Sequence, residues 1–237
     1  MSNEDLTSEF LEPTVGPYSL DRYVARSAIV DVLKRSARDF SGTLLDVGCG
    51  RSPYKSLLMP PSGCVSKYLG LDLEQGHYQN RPDLTWNGTQ IPLPDNAVDS
   101  VLATEVLEHC PEPGAVLHEV ARVLKPNGFI LLTVPFLWPL HDVPYDEFRY
   151  TPFSLERLMR QAGFRDVTVE ALGGWDASLG QMLGLWITRR PMKDFTRRVL
   201  QRLALPIYRT LIRMDQKPKD FNTSVMITGL SARAWKQ

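Results

Sequence analysis

Apolar positions follow two spacings along the 237 residues of the chain. Short, mostly apolar runs at 43–47, 68–72, 98–103 and 129–134 read as strands, and 129–134 is apolar enough to be buried on both faces. Other stretches carry the helical period. Leu20, Tyr23, Val24, Ser27, Val30 and Leu33 form one stripe, which predicts a helix over 20–38 with Ser19 as its N-cap and Asp21 in its first turn. Residues 115–125 predict a second helix, stopped by Pro126 and Asn127-Gly128. A third is predicted to start at a Thr151 or Ser154 cap and run through Gln161, with Gly163 ending it. Residues 165–172 alternate as a strand, and 223–233 supply a last one. Strands alternating with helices predict an α/β sheet.

Two stretches do not fit that alternation. Residues 1–17, with Pro13, Gly16 and Pro17, have little apolar pattern and read as a flexible lead before a single domain at 18–237. Between the last two strands lies a helical insertion at about 178–218, longer than the sheet needs. Ten Lys/Arg fall between Arg189 and Lys219, against Asp194 and Asp215 alone. Phe195, Val199, Leu203, Ile207, Leu211 and Met214 recur there at helical spacing, and Pro206 is expected to kink or split the helix. A basic amphipathic helix of this kind suits peripheral contact with an anionic membrane or a polyanionic substrate. The plainer expectation is a helix packed over a pocket with a solvated basic face.

Composition narrows the class. Formal net charge is zero, which argues against a specific nucleic-acid partner. Cys49, Cys64 and Cys110 are odd in number and lack metal-like spacing, so they read as thiols of a reducing compartment, and no metal ligands are assigned. The acidic start Met1-Ser2-Asn3-Glu4-Asp5 is unlike a secretion signal, and no apolar run approaches the roughly 20 residues of a membrane span. The expectation is a cytoplasmic protein, with possible attachment to the inner membrane face through the basic helix. Oligomeric state is not legible.

The chemistry centres on Leu44-Leu45-Asp46-Val47-Gly48-Cys49-Gly50-Arg51-Ser52-Pro53. A buried strand, a tight glycine turn and a helix start, with Pro53 suited to the first helical turn, form the usual nucleotide site of an open α/β sheet. Pro53 occupies the sixth position from Gly48, where a dinucleotide fingerprint needs a small residue, which disfavours a nicotinamide-dependent oxidoreductase. Asp72 closes the second strand 22 residues after Gly50, the distance at which a βαβ unit sets an acid beside a ribose.

Asp46-x-Gly48-x-Gly50 resembles the first motif of class I S-adenosylmethionine-dependent methyltransferases, with Ser52 where the family has its third glycine. Three further pieces match that family in order: Asp72; the stretch from Asn87-Gly88 through Ile91-Pro92-Leu93, in which Asn87 replaces the usual acid; and Glu105-Val106-Leu107-Glu108-His109, close to its Val-Leu-Glu-His signature. The resemblance implies a Rossmann-like fold: a seven-stranded, mostly parallel sheet with an antiparallel last strand and helices on both faces. It implies S-adenosyl-L-methionine as cofactor, held by Asp46, Gly48, Cys49, Gly50, Asp72, Leu73, Asn87, Gly88, Thr104, Glu105 and His109. Asp72 would accept from the ribose hydroxyls, and the Asn87 carbonyl oxygen and Gly88 would meet the adenine. In such enzymes the leading helix can close over the cofactor, which would bring Arg22 or Arg26 to the methionine carboxylate.

The proline- and aromatic-rich segment 135–152 reads as a functional loop, and loops placed here in the family line the acceptor site. His141 is the candidate general base, with Asp142 or Asp146 to orient it. Pro-x-x-x-His-Asp together with Asp-Glu-Phe-Arg-Tyr-Thr is similar to methyltransferases associated with surface-glycan assembly. The expected function is methyl transfer to the oxygen of a saccharide or another small polar acceptor. The alternatives are a natural-product or quinone-type acceptor, or a non-catalytic protein that binds the same cofactor.

Overall fold

The computed structural model describes residues 7–61, 63–74 and 81–237. They divide into two compact units, one within 32–134, 140–170 and 231–237 and the other within 7–31, 135–139 and 171–230.

The first unit is built on the sheet. Its strands are β1 Gly42–Val47, β2 Val65–Leu73, β3 Leu84–Trp86, β4 Val98–Thr104, β5 Leu124–Pro135, β6 Phe164–Ala171 and β7 Gly229–Lys236. They lie in the order β3-β2-β1-β4-β5-β7-β6, six parallel and the last antiparallel. The predicted fold class stands. Leu44, Leu45 and Val47 of β1 and Ile130, Leu132 and Val134 of β5 are all fully buried, as two-sided strands must be. Each such side chain contributes about 1.5–3 kcal/mol by leaving water. The chain turns from β1 outward to β2 and β3, then returns to place β4 on the other side of β1. That reversal sets the carboxyl ends of β1 and β4 side by side, the place where open α/β sheets receive their ligands.

Several boundaries differ from the sequence reading. β5 begins at Leu124, and so contains the Pro126-Asn127-Gly128 that was expected only to stop the preceding helix, α3 Pro113–Val123. The helix after the glycine turn, α2, is a single turn, Lys55–Leu58. Pro53 lies before it rather than inside it, because the Ser52 N–H bonds back to Cys49 O at 2.7 Å and Ser52 takes a left-handed φ of 52°. Helix α4, Pro152–Gln161, starts as expected: Thr151 and Ser154 form a reciprocal capping box.

The second unit is helical. Of the lead, residues 1–6 lie outside those described, and Thr7–Leu11 form a π-helical turn. Helix α1 is Tyr23–Ser36, starting later than predicted because residues 16–22 form turns. The Ser19 hydroxyl is spent on that turn, accepting from Gly16 N–H and donating to Thr14 O. Asp21 is buried and paired to Arg189 Nε at 2.8 Å. Arg22 reaches Glu9 at 3.5 Å and Arg26 stacks 3.6 Å over the Phe10 ring, so both are held by the lead segment.

The insertion forms an antiparallel hairpin of α5 Trp175–Arg189 and α6 Asp194–Met214. Its core joins Leu20 and Val24 to Ala177, Ile187, Ala204 and Tyr208. Pro206 does not split α6, which runs unbroken through it. A proline there costs about 3 kcal/mol, offset by burial of Gln201, Ala204 and Tyr208 on the opposite side. The free N-terminus of α5 is capped from a distance: Asp215 accepts from the N–H groups of Gly174 and Ala177. β7 starts later than predicted. Just ahead of it, Thr228 O accepts from the N–H groups of Phe136 and Leu137, which takes that stretch out of the ladder.

Candidate functional site

The glycine turn leaves β1 with Gly48 at φ 67° and Gly50 at φ 51°, a left-handed backbone that suits glycine. A Cβ on Gly48 would lie 2.5 Å from Val106 Cγ2, so the turn is closed against the segment that follows β4. The N–H groups of Gly48 and Cys49 both bond to Leu71 O of β2, and the Gly50 N–H donates to Asp72 Oδ2 at 2.8 Å. The Leu73 N–H donates to the other oxygen, Asp72 Oδ1, also at 2.8 Å. Each oxygen of Asp72 thus takes one backbone donor and keeps acceptor capacity for a ribose hydroxyl.

Leu73 is half-exposed, and its Cδ2 would lie 3.6 Å from a Cβ placed on Gly88. That sets an exposed apolar side chain beside Gly88. Asn87 departs from its expected role: its Oδ1 already accepts from Thr89 N–H, Thr89 Oγ1 and Gln90 N–H. The carbonyl oxygen therefore builds the turn. An open cavity of about 520 Å³ lies at this edge, lined among others by Trp86, Asn87, Gln90 and Ile91.

Asp46 is a buried support rather than an exposed ligand. Tyr68 Oη donates to its Oδ2, and burial, with Asp72 adding to it, pushes its carboxyl up to about 7. Burial also pushes the Cys49 thiol up to about 12, so it is an inert wall of the turn.

The carboxyl end of β4 carries the second cluster. Thr104 ends the strand, and Glu105 follows at φ 54°, its N–H on Thr133 O and its carboxylate taking the Thr133 hydroxyl at 2.8 Å. A one-turn 3₁₀ helix, Leu107–His109, then turns Glu108 fully inward. Neither Glu108 oxygen has a hydrogen-bond partner among the described residues. Burial, reinforced by Glu105, holds its carboxyl well above the usual range. His109 Nδ1 lies 3.2 Å from Tyr145 O, and its ring meets the His141 ring edge-on at 4.7 Å between centroids. Loop residues 141–150 are tied to this turn, because Glu147 and Phe148 donate to Glu108 O and Tyr150 Oη donates to Leu107 O.

Asp146, not Asp142, orients His141. Asp146 Oδ2 lies 3.1 Å from His141 Nδ1 and also accepts the His141 backbone N–H. Arg149 grips both Asp146 oxygens, at 2.6 and 2.8 Å, and holds that carboxyl well below the usual range. Asp142 is exposed at φ 49°, and its carbonyl accepts from Tyr145 N–H. With Nδ1 facing an anion, the proton of a neutral imidazole sits on Nδ1, and Nε2 is left as the acceptor.

The sequence reading missed three parts of this cluster: the buried Glu108, the Arg149 clamp and the choice of Asp146. The i,i+3 spacing of Asp146 and Arg149 was a usable signal for the clamp. No sequence signal distinguishes an inward glutamate from an outward one on a single 3₁₀ turn. Glu108, His109 and His141 each offer an atom within 4.8 Å of the others, a set able to hold a metal ion, which the sequence did not suggest.

Residues 45–132 match the profile described as a methyltransferase domain. A probable S-adenosylmethionine-dependent methyltransferase of Mycobacterium tuberculosis is 26% identical over 172 residues, covering 67% of this chain and 61% of that protein. A fatty-acid O-methyltransferase of Mycolicibacterium smegmatis is 29% identical over 171 residues, 68% of this chain and 57% of that one. The chain thus spans about three fifths of the length of these relatives. A crystal structure of a methyltransferase dependent on the same cofactor, from Archaeoglobus fulgidus, shares the fold with a TM-score of 0.55 at 17% identity, covering 89% of this chain and 94% of that one. The acid-backed glycine turn, the ribose-type carboxylate and these likenesses agree, and together they support a class I S-adenosylmethionine-dependent methyltransferase.

Proposed function

We propose that the chain transfers the methyl group of S-adenosylmethionine to a hydroxyl oxygen of a saccharide precursor or a similarly polar small acceptor. The observation that carries this reading is the His141–Asp146–Arg149 chain, which fixes an imidazole with Nε2 free to take a proton. The cofactor supplies a methyl group on a positively charged sulfur, a good leaving group. The protein's own task is alignment and removal of one proton. As the acceptor oxygen bonds to carbon and the carbon–sulfur pair returns to sulfur, the hydroxyl proton passes to His141 Nε2. Asp146, kept anionic by Arg149, stabilises the imidazolium that results.

A second acceptor class is favoured by the named relatives. One is the fatty-acid O-methyltransferase, and another is a demethylmenaquinone methyltransferase of Geobacillus stearothermophilus, 28% identical over 135 residues, 51% of this chain and 58% of that one. Both names put a small organic molecule in the acceptor place, and neither is a saccharide. Incubating the protein with methyl-labelled cofactor and fractionated cell extract tests the reading. Label in an alkali-stable methyl ether of a polar saccharide supports it; label only in a lipid carboxyl or a quinone replaces the acceptor. No labelled product, with S-adenosylhomocysteine still bound, would leave a cofactor-binding protein without transfer.

A further inference from the structure

The α5–α6 hairpin turns its large apolar residues outward. Every exposed position from Trp175 to Thr188 is large and apolar: Trp175, Leu179, Met182 and Trp186. On α6, Phe195, Val199, Leu203 and Ile207 repeat every four residues and are all exposed, Phe195 by 80% and Leu203 by 65%. These are the residues expected to pack inward if the helix merely covered a pocket. The core face of α6 is instead Gln201, Ala204 and Tyr208. A helix facing water carries charge at such positions, and apolar stripes this continuous mark a contact surface.

The cations stand beside the stripes. Arg190 stacks over the Trp186 ring at 4.0 Å, and Arg198, Arg202 and Arg213 line the flank of the α6 stripe with no carboxylate partner among the described residues. We propose that this face docks, with both helices lying in the plane, on a membrane surface of anionic phospholipid. Tryptophan, leucine and phenylalanine enter the headgroup–acyl boundary while the arginines meet lipid phosphates. Charge selects this occupant over a second copy of the chain. Arg189, Arg197 and Lys217 are paired with acids, but Arg190, Arg198, Arg202 and Arg213 leave the face a positive excess, so two such faces would set like charges together. Among the described residues no helix is long and apolar enough to cross a membrane, so the contact is peripheral. The proposal does not depend on which acceptor is methylated.

Co-sedimentation of the full chain with vesicles tests it. Binding is expected to phosphatidylcholine vesicles containing phosphatidylglycerol, to fall steeply with salt, and to be weak with phosphatidylcholine alone. Arg198→Glu with Arg202→Glu lowers partitioning by about 30-fold or more, and Trp186→Gln with Leu203→Gln by about tenfold or more. S-adenosylhomocysteine affinity stays unchanged in both variants, which shows that they remain folded. Absence of binding to anionic vesicles at low salt overturns the proposal. So does binding that survives the apolar variant, which would mark a purely electrostatic contact. A concentration-dependent dimer in sedimentation velocity, dissolved by the apolar variant and accompanied by no vesicle binding, assigns the face to a second copy.

Discussion

The glycine turn and the histidine cluster follow neighbouring strands of one sheet, yet they are held by different means. The turn after β1 is fixed by backbone: left-handed glycines, N–H groups on Leu71 O, and Asp72 bridging Gly50 and Leu73. The cluster after β4 joins two segments far apart in sequence: the N–H groups of Glu147 and Phe148 dock the loop on Glu108 O, and side chains set the chemistry, with His109 against His141 and Arg149 holding Asp146. A backbone-built site binds without needing many particular side chains. A side-chain-built site can set a proton's path, and it fails when one member is lost.

Substitutions in the two regions should therefore separate binding from turnover. The largest effect is expected at Asp72. Asp72→Ala removes two charge-assisted acceptors and loosens the turn, weakening S-adenosylhomocysteine by about 100- to 10,000-fold in calorimetry. His141→Ala should lower turnover by about 100- to 10,000-fold while leaving that affinity within about twofold, and Asp142→Ala should do neither. A His141 variant with an unchanged rate would erase the distinction between the two regions.

A smaller effect tests the support beneath the turn. The folded state holds the Asp46 proton up to about 7, whereas an unfolded chain releases it near its ordinary value. Ionising that carboxyl thus costs stability as pH rises between those two values. Asp46→Asn removes this cost, so the variant should gain about 2 kcal/mol on the parent between pH 5 and pH 8 in urea denaturation. A gap independent of pH would show that the carboxyl is already ionised. The smallest effect is at Ser52, which carries φ 52° where the family has glycine. Ser52→Gly relieves about 1 kcal/mol of left-handed strain and loses the hydroxyl's contacts, a net gain of about 0.5 kcal/mol by thermal denaturation.

The same contrast governs what could be read from the chain alone. Gly48, Gly50 and Asp72 are legible because backbone geometry restricts residue type at fixed spacing along the sequence. The His141–Asp146 pairing is not, because Asp142 adjoins His141 while Asp146 lies five residues beyond that histidine, and only the fold of the loop favours the more distant one. The sequence points Asn87 at the adenine because an amide oxygen can accept where the family has a carboxylate. Nothing in the sequence says that two backbone N–H groups and a hydroxyl have already taken its oxygen. The apolar spacing of α6 is legible in the sequence, but whether that stripe faces the core or the outside is left open by it. Tyr208 and Ala204 fill the interior, leaving the larger Phe195–Ile207 stripe outside.

One carboxylate gives the hairpin an all-or-none character. Because Asp215 beyond α6 ties off the first turn of α5, the end of one helix secures the beginning of the other. Cutting the chain before that aspartate would fray α5 from its start, so the far end of α6 cannot be trimmed away while α5 keeps its shape.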